Sequence, residues 1–112
     1  MILNVQQHDG IDIVDLSGRF VMADTAETRE RMLAIINQGS GKLIIDLQNV
    51  TFIDSSACAV LISAFKNIHA KSGRLILVTS PVVQSVLELT RLHTIFEILP
   101  SIPAAIGAFG AK

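Results

Sequence analysis

Tryptophan and tyrosine are absent, cysteine occurs once, and no block of basic residues appears anywhere in the 112 residues. Each absence removes a class of function. Without Trp or Tyr the chain lacks the stacking platforms on which single-stranded nucleic acids are held. Nine Lys and Arg against ten Asp and Glu leave a net charge of −1. Neither duplex nucleic acid nor an anionic membrane surface meets a complementary field there. Cys58 cannot form an internal disulfide, which fits a reducing, cytoplasmic setting. Long apolar runs are missing too. The longest uncharged stretches, Leu75 to Leu87 and Ile98 to Ala111, are broken by proline and fall short of the roughly 20 residues of a spanning helix. The opening residues, MILNVQQHDG, have neither the basic start nor the apolar run of a secretion signal.

What is present is core-forming material. Half of the residues are hydrophobic, enough for one domain over 1–112 with a buried core. Ile2 to Gln6 and Ile11 to Leu16 are β-prone and separated by a connection ending in Asp-Gly, which reads as a hairpin. Asp24-Thr25-Ala26-Glu27 has the form of a capping box. Met32, Leu33 and Ile36 follow as an apolar stripe, with Glu27 and Arg31 spaced to pair, and Gly39 as the stop. Lys42 to Leu47 suits a strand buried on both faces. Cys58, Leu61, Phe65 and Ile68 recur at helical spacing before Gly73, and Leu75 to Val78 is another strand. Ser80-Pro81 opens a helix, Ile95 to Ile98 is a short strand, and Ile102, Ala105, Ile106 and Phe109 mark a last helix. The order predicts an α/β domain with a mixed sheet, parallel at its crossovers, and helices packed against it.

Catalytic patterns are scarce. His8, His69 and His93 are scattered and lie at no metal-ligand spacing, and Gly39-Ser40-Gly41 precedes a strand where a phosphate loop would follow one. No metal or cofactor is expected. Cys58 lies on the apolar face of its helix and reads as core. A serine hydrolase would need GxSxG at a strand-to-helix turn, and that motif is absent.

One segment admits both a structural and a functional account. In TFIDSSACAV, residues 51–60, an apolar run ends in Asp54-Ser55-Ser56 and then resumes. An acid or hydroxyl there is an ordinary helix cap, but three consecutive polar residues exceed what capping needs. A helix start carries unpaired N–H groups and the positive end of the helix dipole, so a phosphate on such a hydroxyl is tolerated by the fold. The same phosphate disrupts any partner lying across it.

Leu43-Ile44-Ile45-Asp46-Leu47 followed by Val50-Thr51-Phe52-Ile53-Asp54-Ser55-Ser56 resembles the signature of the STAS domain of bacterial anti-sigma factor antagonists. Leu16-Ser17-Gly18-Arg19-Phe20 with Thr25-Ala26-Glu27-Thr28, Gly73 to Val78, and Val86 to Leu92 leading to Ile95-Phe96 resemble other parts of that family in the same order. The resemblance implies the STAS fold, with a mixed sheet of four to five strands, and a partner-switching protein that is not an enzyme. Its partners would be an anti-sigma factor that is also a serine kinase, and a serine phosphatase. Carried over by position, the phosphoacceptor is Ser55, with Ser56 as the second candidate. The contact surface would comprise Asp54, Ser55, Ser56 and Ala57 with the neighbouring Val21, Asp24 and Thr25.

Three positions depart from the family pattern. Ala57 and Arg91 stand where glycine is usual, and Val21 stands where the family often has aspartate. These departures bear on the kinase-facing surface rather than on the fold. They also leave a second reading, a non-switching STAS subunit of a transport or other regulatory complex. Self-association through the edge of the hairpin is a further expectation.

Overall fold

The computed structural model describes residues 1–110; the last two residues of the expected 1–112 domain lie outside the described residues. Strands β1 (Ile2–His8) and β2 (Ile11–Phe20) form the hairpin, closed by a two-residue turn. Asp9 and Gly10 both have positive φ, 51° and 78°, the geometry that matches the twist of the flanking strands. Helix α1 (Met22–Gln38), β3 (Lys42–Ile53), α2 (Ser55–Ala70), β4 (Arg74–Val78), α3 (Pro81–Leu89), a single 3-10 turn (Leu92–Thr94), β5 (Glu97–Leu99) and α4 (Ile102–Gly110) follow. The strands lie side by side in chain order, with β1 antiparallel to β2 and the rest parallel. This is the mixed sheet expected from the sequence.

Alternation along the strands sorts the core into two layers. Leu43, Ile45 and Leu47 of β3 join Val14, Leu16, Leu75 and Leu77 under α1, α2 and α3. Ile44, Ile76 and Val78 face the other way, where Ala105 and its neighbours on α4 cover them. That second cover is partial, and it explains why β2 and β3 run past the predicted ends at Leu16 and Leu47. Beyond those points one face of each strand is open to water, so Ser17, Arg19, Asn49 and Thr51 are polar although the backbone remains extended.

Several local expectations are corrected. The Asp24 capping box does not form. Helix α1 starts earlier, with Val21 at its N-cap and no side-chain cap from that residue, and Asp24 lies inside the first turn with its carboxylate 3.8 Å from the Met1 amino group. Arg31 does not pair with Glu27; its guanidinium reaches the Leu3 carbonyl at 3.4 Å. Gly39 does end α1, but not by a left-handed turn, since its φ is −88°. A Cβ there would collide with the Asp12 carboxylate and lie 2.7 Å from the Ile35 carbonyl. The last strand begins two residues later than the Ile95 predicted. Arg91 adopts a left-handed conformation (φ 60°) and the 3-10 turn uses the next three residues.

Two features generate predictions. Arg91 holds a conformation that costs a residue with a Cβ roughly 1 kcal/mol, so Arg91→Gly is expected to raise stability by about 0.5–1 kcal/mol in urea unfolding. Asp15 and Asp46 are in register on adjacent strands, and Asp15 Oδ1 is buried without a hydrogen-bond partner. Burial, with the Asp46 charge second, raises the Asp15 carboxyl above its ordinary value of 3.8. The folded state therefore favours the protonated acid. That contribution is fully present below about pH 3.8 and is lost as pH rises through the raised folded value. Asp15→Asn should therefore stabilise the domain at pH 7 relative to the parent chain. The gain should vanish near pH 3, as thermal unfolding across that range would show.

Candidate functional site

The Asp54–Ser56 segment lies at the C-terminal end of β3, and the strand is bent on its way there. Against β2 its register slips twice, between Asp15 and Ser17 and between Gly18 and Arg19, each time with an extra residue on β3. Such bulges re-aim the end of a strand. Buried Ile53 anchors the strand in the core. Asp54 then turns the chain with extended angles (φ −114°, ψ −176°) as the N-cap of α2.

The Asp54 carboxylate uses both oxygens. Oδ1 accepts from the Ala57 N–H at 3.0 Å, the ordinary cap of its own helix. Oδ2 accepts from the Met22 N–H, also at 3.0 Å, at the start of α1. Asp54 N–H donates to the Phe20 carbonyl at 3.4 Å, and the Asp54 carbonyl accepts from Cys58 N–H at 3.1 Å. One side chain thus caps two helices. The N-cap residue of α1, Val21, has no side-chain oxygen to offer, and Asp54 supplies an acceptor for Met22 N–H from 32 residues away. Both helices therefore direct the positive ends of their dipoles at the same short edge of the sheet.

Around this bridge the predicted residues divide. Ser55, the first residue of α2, is exposed, and Ser56 is half-buried. Val21, Asp24 and Thr25 are half-buried in or beside the first turn of α1, where the Thr25 hydroxyl donates to the Met22 carbonyl at 3.0 Å. Ala57 is a correction. Its relative exposure is 0% and it belongs to the core under the helices, so its methyl group takes no part in a contact surface. Met22 was missed: it is 72% exposed and its N–H is tied to Asp54. The available signal was the valine at position 21, since a helix start without a capping residue needs an acceptor from elsewhere.

Among the described residues no imidazole is hydrogen-bonded to Ser55. His69 lies 14 positions along α2, about 21 Å away at 1.5 Å per residue. His8 sits at the hairpin tip beside Asp9, and His93 in the 3-10 turn near the Leu87 carbonyl. Among the described residues no three His, Cys, Asp or Glu side chains group to hold a metal ion. Burial and the Asp54 charge push the Cys58 thiol up from its ordinary value, so it stays protonated and weakly nucleophilic. No described helix is long and apolar enough to cross a membrane.

The family model of the STAS domain matches residues 3–105. The chain belongs to the STAS domain family. A putative anti-sigma factor antagonist, BtrV, of Bordetella bronchiseptica is 27% identical over 110 residues, covering 97% of this chain and 95% of the relative. A putative anti-sigma factor antagonist of Thermotoga maritima superposes with a TM-score of 0.89 at 24% identity, covering 95% of this chain and 92% of that one. The Bacillus cell fate determinant SpoIIAA in its phosphorylated form superposes at 0.74 with 19% identity over 96% and 99% of the two chains. At these identities the two structures establish a shared fold.

Within this STAS domain the departures from the family pattern acquire physical meaning. Ala57 has ordinary helical backbone angles, so its position needs no glycine for conformational reasons. Val21 loses a cap that Asp54 replaces. Arg91 keeps the left-handed conformation that glycine takes most easily. Because one carboxylate caps both helices, Asp54→Ala should cost about 2–3 kcal/mol, roughly two charge-assisted caps. Asp54→Asn, which retains one acceptor oxygen, should fall between that variant and the parent in urea denaturation.

Proposed function

We propose that this STAS domain is an anti-sigma factor antagonist in a partner-switching pathway, and that Ser55 is its phosphoacceptor. In this reading the unphosphorylated chain binds an anti-sigma factor that is also a serine kinase. Phosphorylation of Ser55 releases it, and a serine phosphatase restores binding. The chain does no chemistry of its own and works in the cytoplasm. The observation that carries the reading is the exposed Ser55 hydroxyl on a turn fixed by Asp54 from both sides.

The energetics support a switch at this position. A phosphate adds about −1.5 to −2 charges. At the first residue of α2 it meets free N–H groups and the helix dipole, an interaction worth about 0.3–1 kcal/mol in favour of the folded state. Both oxygens of neighbouring Asp54 already accept N–H groups, which offsets part of the repulsion. In an interface the same dianion must shed water, which costs several kcal/mol unless a cation meets it. From Ser55 to Phe65 helix α2 carries no charged side chain, so modification converts a neutral contact surface into an anionic one. Val21, Met22, Asp24, Thr25, Asp54 and Ser56 frame that surface.

Ser56, the second candidate, is half-buried one position further into the helix and is less open to a kinase active site. The non-switching alternative drew on Ala57 and Val21. The Ala57 methyl group is buried in the core, and the helix start at Val21 is capped by Asp54, so neither residue blocks access to Ser55.

With its cognate kinase and ATP, the chain is expected to acquire a single phosphate on Ser55, located by peptide mass spectrometry. Ser55→Ala should take up none and still bind the kinase. Phosphate at Ser56 would overturn the assignment, and stoichiometric binding without any phosphorylation would favour the non-switching role.

A further inference from the structure

The two edges of the sheet are built differently. Strand β5 is three residues long, and Glu97 on it is held by Arg74 through a hydrogen bond of 2.8 Å. Short length and charge are the usual protection of a sheet edge. Strand β1 is less protected, with one charged group, Arg31 of α1, reaching one of its edge carbonyls. It is seven residues long, Ile2 to Gln7 carry no charged side chain, there is no proline, and its pairing with β2 has no bulge. Ile2 and Val5 are 61% and 45% exposed on it.

The register fixes which backbone groups of β1 face outward. The two-residue turn makes His8 and Ile11 a hydrogen-bonded pair, and in an antiparallel ladder such pairs alternate. Gln6, Asn4 and Ile2 therefore spend their N–H and C=O groups on β2. Leu3, Val5 and Gln7 direct theirs away from the sheet. The Arg31 contact agrees with this, since the Leu3 carbonyl is the one it reaches, and a carbonyl oxygen has a second lone pair for another donor.

We propose that β1 pairs antiparallel with β1 of a second copy, about a two-fold axis at Val5, to give a continuous ten-stranded sheet. Val5 then faces the partner's Val5, and Leu3 faces the partner's Gln7, so all three outward-facing residues find backbone partners in the second copy. The pairing sets no like charges opposite one another. The two Arg31 side chains stand near Leu3 positions separated by four residues of strand, about 13 Å, beyond the screening length at physiological salt. A seven-residue edge covers on the order of 400 Å² per copy, about half of a standard interface. An edge of that size makes the dimer a weak one, formed at high chain concentration.

The test uses the unphosphorylated chain alone, so its outcome is independent of the kinase reading. In sedimentation equilibrium from about 5 μM to 1 mM, the average mass should rise toward twice the monomer value. Val5→Lys, at a half-exposed position, should keep the parent circular dichroism spectrum and remain monomeric throughout. Amide exchange at 1 mM should slow at Leu3, Val5 and Gln7 relative to 5 μM, with Asn4 and Gln6 unchanged. A parent chain monomeric at 1 mM would overturn the proposal, and so would a dimer that persists in Val5→Lys.

Discussion

A single carboxylate organises the functional end of this domain. Asp54 has two acceptor oxygens and receives two helix N-termini, one that follows it directly and one that begins at Met22. Its backbone also joins the end of β2 to the end of β3. Helix starts expose unpaired donors, and a buried or half-buried start without an acceptor is costly. Meeting both needs with one side chain locks two loops together and leaves Ser55 presented on a fixed support. The Ser55 hydroxyl takes no part in these bonds, so the proposed phosphate would leave the turn's hydrogen bonds in place.

The rest of the domain holds that carboxylate in place. Fully buried Leu43, Ile44, Ile45 and Leu47 fix β3 between the two core layers. The bulges opposite Ser17 and Arg19 then bend its last residues, and Arg19 lies 5.3 Å over the Phe52 ring on the open face of the sheet. Ala57 packs inside the first turn of α2 and fits the helix down onto the core. The hydroxyl proposed for modification is thus separate from the side chains that hold the turn, a separation that a reversible surface modification requires.

Much of this was legible in the sequence. The element order and the hairpin turn at Asp9-Gly10 followed from periodicity and turn chemistry, and so did the Ser80 cap, whose hydroxyl accepts from Val83 N–H. The polar cluster at Asp54 also stood out against its apolar flanks. Three things were hidden. Strands β2 and β3 extend across a face that α4 does not cover, so their far halves lack the apolar signal of a buried strand. The start of α1 was assigned to a local capping box at Asp24, because local sequence shows neighbours in the chain and not neighbours in space. Ala57 read as a surface substitution because its orientation depends on how α2 is seated, which no spacing rule specifies.

The central claim is that phosphate at Ser55 is tolerated by the fold and rejected by the partner. Calorimetric titration of the cognate anti-sigma factor with unphosphorylated and fully phosphorylated chain, alongside thermal unfolding of both forms, tests it most directly. The account predicts unfolding temperatures within a few degrees of each other and a loss of affinity of about 100-fold or more, equivalent to roughly 3 kcal/mol. Equal affinity for both forms, or loss of binding explained by unfolding of the phosphorylated chain, would contradict it.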